Sequence, residues 1–128
     1  MEKKDRVRIG KQIVGVLKAH LGETGKLNCL DIGCSRGVIT DKLADRFGRV
    51  TGIDVDERAL RMAKRDFKKR NLTFIYMDAS DLKFRNDSFD VVIANQLYEF
   101  VEDDKKVFKE IRRVLRPGGV CFFGARNK

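Results

Sequence analysis

Cysteine and histidine are scarce in this 128-residue chain, which has three cysteines and one histidine. Cys29, Cys34 and Cys121 form no Cys-x-x-Cys pair, and His20 is the only imidazole. This set matches neither the ligand spacing of a zinc site nor the cysteine framework of a small secreted domain. Cys29 and Cys121 lie within apolar, strand-like runs, so we expect buried, reduced thiols and no metal centre.

Long apolar runs are also absent from the sequence. No apolar stretch approaches the roughly 20 residues that a helix needs to cross a bilayer. The charged amino-terminal sequence MEKKDRVRIGK is not followed by the apolar segment of a secretory signal. We therefore predict a cytoplasmic protein with no membrane partner.

Acidic residues are outnumbered by basic ones, 19 against 28, which gives a formal net charge of +9. Charged residues make up 37% of the chain, more than the usual quarter. Surface ion-pair networks adapted to heat and a basic nucleic-acid-binding face both explain this excess. The densest basic run lies in the predicted helix Arg58–Arg70. It is a candidate contact for RNA or another polyanion, and a solvated helix face is the alternative.

Short apolar runs alternate with helical patterns along the whole chain. The predicted strands are 27–33, 50–54, 72–77, 89–95 and 120–123. The apolar stripes predict helices over 4–21, over 39–47 with a stop at Gly48, after an N-cap at Asp56, and from Val107 through Leu115 to a stop before Pro117. Continuous rather than alternating strand runs are typical of a parallel sheet covered by helices on both faces. We predict one α/β domain over 1–128, with an amino-terminal helix in 1–24 and a core in 25–128.

The first predicted strand runs into a glycine turn, where a ligand would bind in an open parallel sheet. Asp31, Gly33 and Gly37 occur there, and the spacing differs from the G-x-G-x-x-G pattern of dinucleotide sites. A carboxylate at this point would repel a pyrophosphate and suits a cationic ligand, such as one with an ammonium group. An ordinary tight strand-to-helix turn is the alternative.

Acidic residues also follow the next two predicted strands. Asp54 is placed to accept hydrogen bonds from the hydroxyls of a ribose, since Asp56 is the better helix cap. Asp78 is placed to accept a hydrogen bond from an adenine amine, with a backbone N–H of Ala79 or Ser80 meeting a ring nitrogen. A polar loop residue is the alternative for Asp78.

Five segments in this order resemble the class I S-adenosylmethionine-dependent methyltransferases. They are LDIGCSRG, VTGIDVDERAL, MDASDLKF, SFDVVIANQLYEFV and IRRVLRPGG, and the resemblance covers roughly residues 25–124. More narrowly, the segments resemble the branch that includes many small-molecule and RNA methyltransferases with a Leu-basic-Pro-Gly-Gly turn. The resemblance implies a Rossmann-like sheet of about five strands in the order 3-2-1-4-5. It also implies S-adenosylmethionine as the cofactor and S-adenosylhomocysteine as the product.

The resemblance further implies the cofactor contacts. The residues expected at the methionine, ribose and adenine parts, with Asn95 as the floor, are Asp31, Gly33, Cys34, Gly37, Asp54, Val55, Asp78, Ala79 and Asn95.

Two departures from the family pattern affect these expectations. Ser35 stands where the family usually has glycine, and a positive φ there would cost a serine on the order of 1 kcal/mol. The family fold continues beyond the fifth strand with a helix and an antiparallel strand pair, and this sequence has no counterpart of them. The fifth strand is therefore expected to be an exposed edge. Pairing of this edge with a second copy or a partner subunit is one explanation, and a fragment or a minimal version of the fold is the other.

The methyl-acceptor side is expected after the fourth strand. The candidate catalytic residues are Asn95, Tyr98 and Glu99, and Asn95–Tyr98 is faintly similar to the Asn-Pro-Pro-Tyr motif of amino methyltransferases, without its prolines. The resemblance implies an active methyltransferase of unknown acceptor. A non-catalytic cofactor-binding or scaffold subunit, a nicotinamide-dependent oxidoreductase and a polyanion binder that needs no cofactor remain as alternatives.

Overall fold

A computed structural model describes residues 2–94 and 104–123. The elements follow the predicted alternation of helices and strands. They are α1 (Lys3–Leu21), β1 (Asn28–Ile32), α2 (Val38–Ala44), β2 (Arg49–Asp54), α3 (Glu57–Asp66), β3 (Leu72–Tyr76), β4 (Phe89–Ala94), α4 (Asp104–Val114) and β5 (Leu115–Phe123). None of the helices in this described part is long and apolar enough to cross a membrane.

The five strands form one parallel sheet in the order β3-β2-β1-β4-β5, which confirms the predicted Rossmann-like fold. Successive connections run outward from β1 to β3, and the chain then crosses back to place β4 on the other side of β1. The carboxyl ends of β1 and β4 therefore flank the point where the direction of winding changes. In sheets of this type, ligands bind at that point.

Alternating side chains of the sheet build two apolar layers. One layer joins the strands to α1 and α2 through residues that include Leu17, Cys29 and Leu43. The other joins them to α4 and to the loop after β3 through residues that include Leu30 and Ile111. Because side chains alternate along a strand, Asp31 projects to the same side as Cys29, towards α2.

The helix ends differ from the sequence-based expectations at three places. Helix α3 ends at Asp66, because the backbone becomes extended at Phe67, so the prediction of a helix as far as Arg70 was wrong. Helix α2 ends at Ala44, before Phe47, although the Phe47 side chain is buried in the core as its spacing indicated. Helix α4 ends at Val114, so the prediction of Leu115 as helical was wrong.

Strand β5 begins at Leu115 because this residue pairs with Phe89 of β4. A β-bulge separates that pair from the pair Val91–Val120, and Gly118 has a φ of +81° within it. The predicted Leu-basic-Pro-Gly-Gly turn, which contains Gly118 and Gly119, is thus an irregularity inside a longer strand. Pro117 disfavours helical geometry at the residue before it, which explains why α4 does not continue.

Candidate functional site

Three carboxylates stand at neighbouring strand ends on the carboxyl edge of the sheet. Asp31 lies near the end of β1, Asp54 ends β2, and Asp78 follows β3 by two residues. The strands are in register so that Asp31 lies beside Gly52 and Asp54 beside Tyr76. The structure thus places the three acidic residues at the same edge of the sheet, in a chain whose net charge is +9. Asp54 and Asp78 line one cleft, and Asp31 is not among its lining residues.

Asp54 is held by two backbone N–H groups. Ser35 N donates to Oδ2 at 2.7 Å, and Asp56 N donates to Oδ1 at 2.9 Å. A carboxylate oxygen has a second lone pair, so each oxygen of Asp54 keeps the capacity to accept one more hydrogen bond. Asp56 is the N-cap of α3, since its Oδ1 accepts from Ala59 N at 3.0 Å. The predicted helix cap at Asp56 is therefore confirmed, and ribose binding by Asp54 stays a prediction.

The turn between β1 and α2 uses left-handed backbone at Gly33, Ser35 and Gly37, with φ values of +76°, +52° and +84°. Ser35 adopts the conformation that a glycine would adopt without strain, so the loop keeps its path and carries a strain on the order of 1 kcal/mol. In this conformation the backbone N–H of Ser35 donates its hydrogen bond to Asp54. The turn and the end of β2 are thereby joined into one unit.

The two glycines of this turn have different surroundings. A Cβ added at Gly33 would meet nothing within 4 Å, so the space beside it is open. A Cβ added at Gly37 would lie 2.6 Å from Cζ of Phe74 and 3.1 Å from Cβ of Ala63. Gly33 fits a close approach of a ligand to the backbone, whereas Gly37 is needed for packing against β3 and α3.

Asp31 is the most buried of the three acids, with 3% of its surface exposed. Its Oδ2 accepts a hydrogen bond from Oγ1 of Thr40 in α2 at 2.7 Å. Burial, together with the negative charge of Asp54, raises the pKa of Asp31 to about 7, although the Thr40 hydrogen bond opposes the shift. A cation brought to this carboxylate would stabilise its charged form.

Asp78 is exposed and is oriented by hydrogen bonds from Ser80, two residues later in the chain. Its Oδ1 accepts from both the backbone N and the Oγ of Ser80, each at 2.8 Å. These hydrogen bonds hold the pKa of Asp78 below its ordinary value. Because Ser80 N–H is engaged, Ala79 N–H is the better of the two predicted donors to an adenine ring nitrogen.

A cleft opens beside these strand ends. It brings together Gly33, Asp54, Val55, Asp78 and Ala79, five of the predicted cofactor contacts. The apolar part of its lining consists of Ile32, Ile53, Val55, Met77, Ala79 and Val107. An apolar slot with carboxylates at its rim suits a flat base attached to a ribose.

The Cys34 side chain is turned away from this cleft. It is buried beside α3 in a cluster with Leu60, Ala63 and Phe74. Burial and the nearby charges of Asp31 and Asp54 raise the pKa of this thiol well above its ordinary value. Only the backbone of Cys34 is therefore available to a ligand, and its N–H already donates to Ile53 O at 2.9 Å.

The predicted acceptor-side residues Asn95, Tyr98 and Glu99 lie outside the described residues. The prediction of Asn95 as a cofactor contact lies there too. His20 lies exposed in the last turn of α1, where the helix dipole favours a cation.

Thr40 and Met77 are not among the site residues that the sequence predicts. Met77 falls within the predicted strand 72–77, and the structure places it in the lining of the cleft. Thr40 lies three residues before Leu43 on the buried side of α2, and it is fully buried itself. A hydroxyl at a core position of an amphipathic helix was the available indication, because such groups are buried only when they have a partner.

Comparison with protein families gives one match that covers most of the chain. A family model described as "Methyltransferase domain" matches residues 30–123. The match begins within β1 and ends at the last residue of β5, so it includes part of β1 and the whole of the other four strands.

Among curated proteins, the chain is similar to ubiquinone biosynthesis O-methyltransferases. It is 30% identical over 118 residues to the one from Idiomarina loihiensis, which covers 90% of this chain and 49% of that protein. The chain therefore spans about half the length of the curated relatives it matches.

Among solved structures, the fold is similar to that of a protein from Pyrococcus horikoshii OT3. The TM-score is 0.78 and the identity 31%, over 95% of this chain and 59% of that one. A Methanosarcina mazei protein described as an S-adenosylmethionine-dependent methyltransferase has a TM-score of 0.74 and 30% identity, over 84% of this chain and 55% of that one.

Proposed function

This chain belongs to the class I S-adenosylmethionine-dependent methyltransferase family, and from that premise we propose that it binds S-adenosylmethionine and transfers its methyl group to an acceptor. The observation that carries the proposal is the arrangement of Asp31, Asp54 and Asp78 at three neighbouring strand ends. Three carboxylates at one edge of a basic protein attract a cation, and S-adenosylmethionine carries an ammonium and a sulfonium group.

Each part of the cofactor has a matching group at the site. Asp54 has both oxygens fixed by backbone N–H groups and accepts from the ribose hydroxyls with its remaining lone pairs. Asp78 and Ala79 N–H receive the adenine, with Val55 beside its face. Asp31 and the open space at Gly33 receive the methionine end. Cys34 contributes its backbone, and Gly37 sets the shape of the turn.

Catalysis in this proposal is mainly a matter of position. The cofactor supplies an electrophilic methyl group, so the protein must hold the acceptor atom in line with it and exclude competing orientations. We propose Asn95, Tyr98 and Glu99 for the acceptor side, with Glu99 removing a proton where the acceptor requires it. The floor role of Asn95 is part of the same proposal.

The acceptor chemistry to test first is methylation of a small-molecule hydroxyl. The support is the similarity to proteins named ubiquinone biosynthesis O-methyltransferases. A panel of phenols, with RNA as the second class, measured by S-adenosylhomocysteine release, distinguishes the acceptor classes. Release with RNA alone would contradict the small-molecule assignment.

Calorimetric titration with S-adenosylmethionine and S-adenosylhomocysteine tests the cofactor site. We expect binding of both ligands, and we expect Asp54→Ala to weaken it by roughly 1–3 kcal/mol, the size of lost hydrogen bonds to a charged group. Asp56→Asn is the matched control, because it removes a carboxylate charge two residues away and retains the helix cap. Unchanged affinity in a folded Asp54→Ala protein would refute the ribose assignment.

A polyanion is the second candidate partner, through the exposed face of α3. Arg58, Arg61 and Arg65 line one shallow depression around Met62. Arg65 is paired with Asp66 at 2.8 Å. Arg58 and Arg61 are three residues apart on the helix and repel one another, so an anion would relieve that repulsion. For a methyltransferase, the polyanion in this proposal is RNA, either as the methyl acceptor or as a bound partner.

A scaffold role is the alternative from another class, and it concerns the edge of the sheet. In the described part of the chain, β5 pairs with β4 on one side only. We propose that further polypeptide covers this edge, either from a longer form of this chain or from a partner subunit or second copy. Cofactor binding without turnover on any acceptor, followed by turnover when a partner is added, would favour the scaffold role over an independent enzyme.

Domain organisation and location complete the proposal. We propose that residues 1–128 act as one cofactor-binding domain, since α1 packs on the same layer as α2. We also propose a cytoplasmic location, supported by the buried free thiols of Cys29 and Cys34.

A further inference from the structure

Thr40 is a buried polar residue whose role the cofactor contacts do not explain. Its side chain is fully buried in α2, at a position that valine would fill with the same volume. Burying a hydroxyl without a partner costs free energy, so its partner identifies what the hydroxyl does. That partner is Oδ2 of Asp31, at 2.7 Å from Thr40 Oγ1.

The choice of partner is informative because it lies outside the helix. Thr40 is the third residue of α2, so no carbonyl of the same helix stands one turn before it. Its hydroxyl crosses to β1 and donates to a carboxylate nine residues back in the chain. The hydrogen bond therefore links α2 to the acidic edge of the sheet.

The hydrogen bond from Thr40 orients the Asp31 carboxylate, to which the neighbouring strand residues offer no polar side chain. Asp31 lies between Gly52 of β2 and Ile93 of β4, and neither of these has a polar side chain. Among the described residues, the titratable groups that act on or respond to its charge are Asp54, Cys29 and Cys34. Asp54 repels the charge of Asp31, and the two thiols have pKa values raised by it, so none of them stabilises the charged form.

We propose that Thr40 is a positioning residue, which holds the Asp31 carboxylate in the orientation that receives the ammonium group of S-adenosylmethionine. This inference rests on the proposed function and adds a residue with no direct ligand contact to the site. It predicts that removal of the hydroxyl weakens cofactor binding although the cleft lining is unchanged.

The same geometry fixes the sign of a pH effect. The Thr40 hydrogen bond favours the charged form of Asp31, whose pKa is about 7 with the bond in place. Loss of the bond raises that pKa further, so more of the protein carries a neutral Asp31 at neutral pH. Cofactor binding in a variant without the hydroxyl is therefore lost at a higher pH than in the wild type as the pH falls.

The experiment compares Thr40→Val, Thr40→Ala and Thr40→Ser with the wild type in calorimetric titrations of S-adenosylhomocysteine from pH 6 to pH 9. We expect Thr40→Val and Thr40→Ala to bind about tenfold more weakly at pH 7, the fold-change for one hydrogen bond to a charged group. Their loss of binding on acidification should occur at higher pH. Thr40→Ser keeps the donor and should restore both the affinity and the pH profile.

Thr24→Val is the matched control. Thr24 is also buried, and its Oγ1 donates to Arg46 O at 2.6 Å, before the amino end of β1. This substitution removes a hydroxyl and one hydrogen bond from the core without touching Asp31. It should lower stability and leave both the affinity and its pH profile unchanged.

Wild-type affinity and pH profile in folded Thr40→Val would overturn the role of Thr40 and leave the proposed function intact. Equal weakening in Thr40→Val and Thr24→Val would also overturn it, because the effect would then be general loss of stability. If Thr40→Val does not fold, Thr40→Ala and carbon-13 titration of the Asp31 carboxyl in the ligand-free protein decide the point. A folded wild-type chain that binds neither ligand would refute the proposed function and this inference with it.

Discussion

At the scale of single residues, the charged form of Asp31 destabilises the fold, because the carboxylate is buried. Burial raises its pKa from the ordinary 3.8 to about 7. The folded protein therefore binds this proton more tightly than the unfolded chain does. The stabilisation that comes from this tighter proton binding is complete at low pH, and it is lost as the pH rises from about 4 to about 7. A group with this cost is retained where a ligand needs its charge.

Asp31→Asn should separate the two effects. We expect the free energy of unfolding at pH 8 to increase on the order of 2 kcal/mol, because the buried charge is gone and the amide oxygen still accepts from Thr40. Cofactor affinity should fall in the same protein. Urea denaturation at pH 4 to 8 and calorimetry measure both quantities.

Asp81→Asn is the control for that variant, since Asp81 forms an exposed ion pair with Lys83 and should change stability by less than about 0.5 kcal/mol. An Asp31→Asn protein that is less stable than the wild type at pH 8 would contradict the burial argument.

At the scale of elements, the turn from β1 to α2 joins binding and packing. Ser35 N–H connects the turn to the end of β2, and Gly37 lets α2 start close to β3 and α3. Thr40 then connects the first turns of α2 back to β1. The carboxylates at two strand ends are thereby oriented by one short segment, so a change in this segment affects both.

Gly37→Ala should be strongly destabilising. The new Cβ would overlap the Phe74 ring, and alanine would have to adopt a φ of +84°. We expect a loss of at least about 2 kcal/mol in the free energy of unfolding, from strain and overpacking together. Thermal and urea denaturation measure it.

Gly15→Ala gives the contrast within the same sequence. Gly15 lies exposed in α1 with open space around it, so the substitution should stabilise the protein by roughly 0.5–1 kcal/mol. Similar effects of the two substitutions would mean that the close approach at Gly37 is not required.

At the scale of the whole molecule, charge is divided unevenly. The carboxyl edge of the sheet holds the three acids, while α3 presents arginines to the solvent. Part of the basic excess is structural: Lys69 contacts Asp41 Oδ1 at 3.0 Å and Asp45 Oδ1 at 2.6 Å in and after α2. Arg65 is likewise paired with Asp66 at 2.8 Å, so Arg58 and Arg61 are better candidates than Lys69 or Arg65 for a polyanion contact.

The double variant Arg58→Gln/Arg61→Gln should weaken RNA binding and leave cofactor affinity unchanged. If both residues contact phosphates, the slope of log affinity against log salt should fall by about 1.4 for single-stranded RNA. Fluorescence anisotropy with a labelled oligonucleotide measures this slope. Lys11→Gln/Lys18→Gln removes the same charge from α1, and an equal effect there would show binding by net charge alone.

Sequence patterns predicted most of the fold because they are local. The run VVIA in β4, for example, is continuous and apolar, as a strand buried on both faces must be. The helix cap at Asp56 was predicted for the same reason, since a cap depends on residues three positions apart. The start of β5 was not predicted, because it depends on the pairing of Leu115 with Phe89, which lies far away in the chain.

For the candidate site, the sequence alone determined which residue types stand at the strand ends and therefore that the carboxyl edge is acidic. The tertiary structure decided that Asp31 is buried and bound by Thr40. It also decided that both Asp54 oxygens accept backbone N–H groups, and that the Cys34 thiol faces the core. These outcomes depend on strand register and helix packing. Such contacts join residues that are distant in the chain, and no local periodicity encodes them.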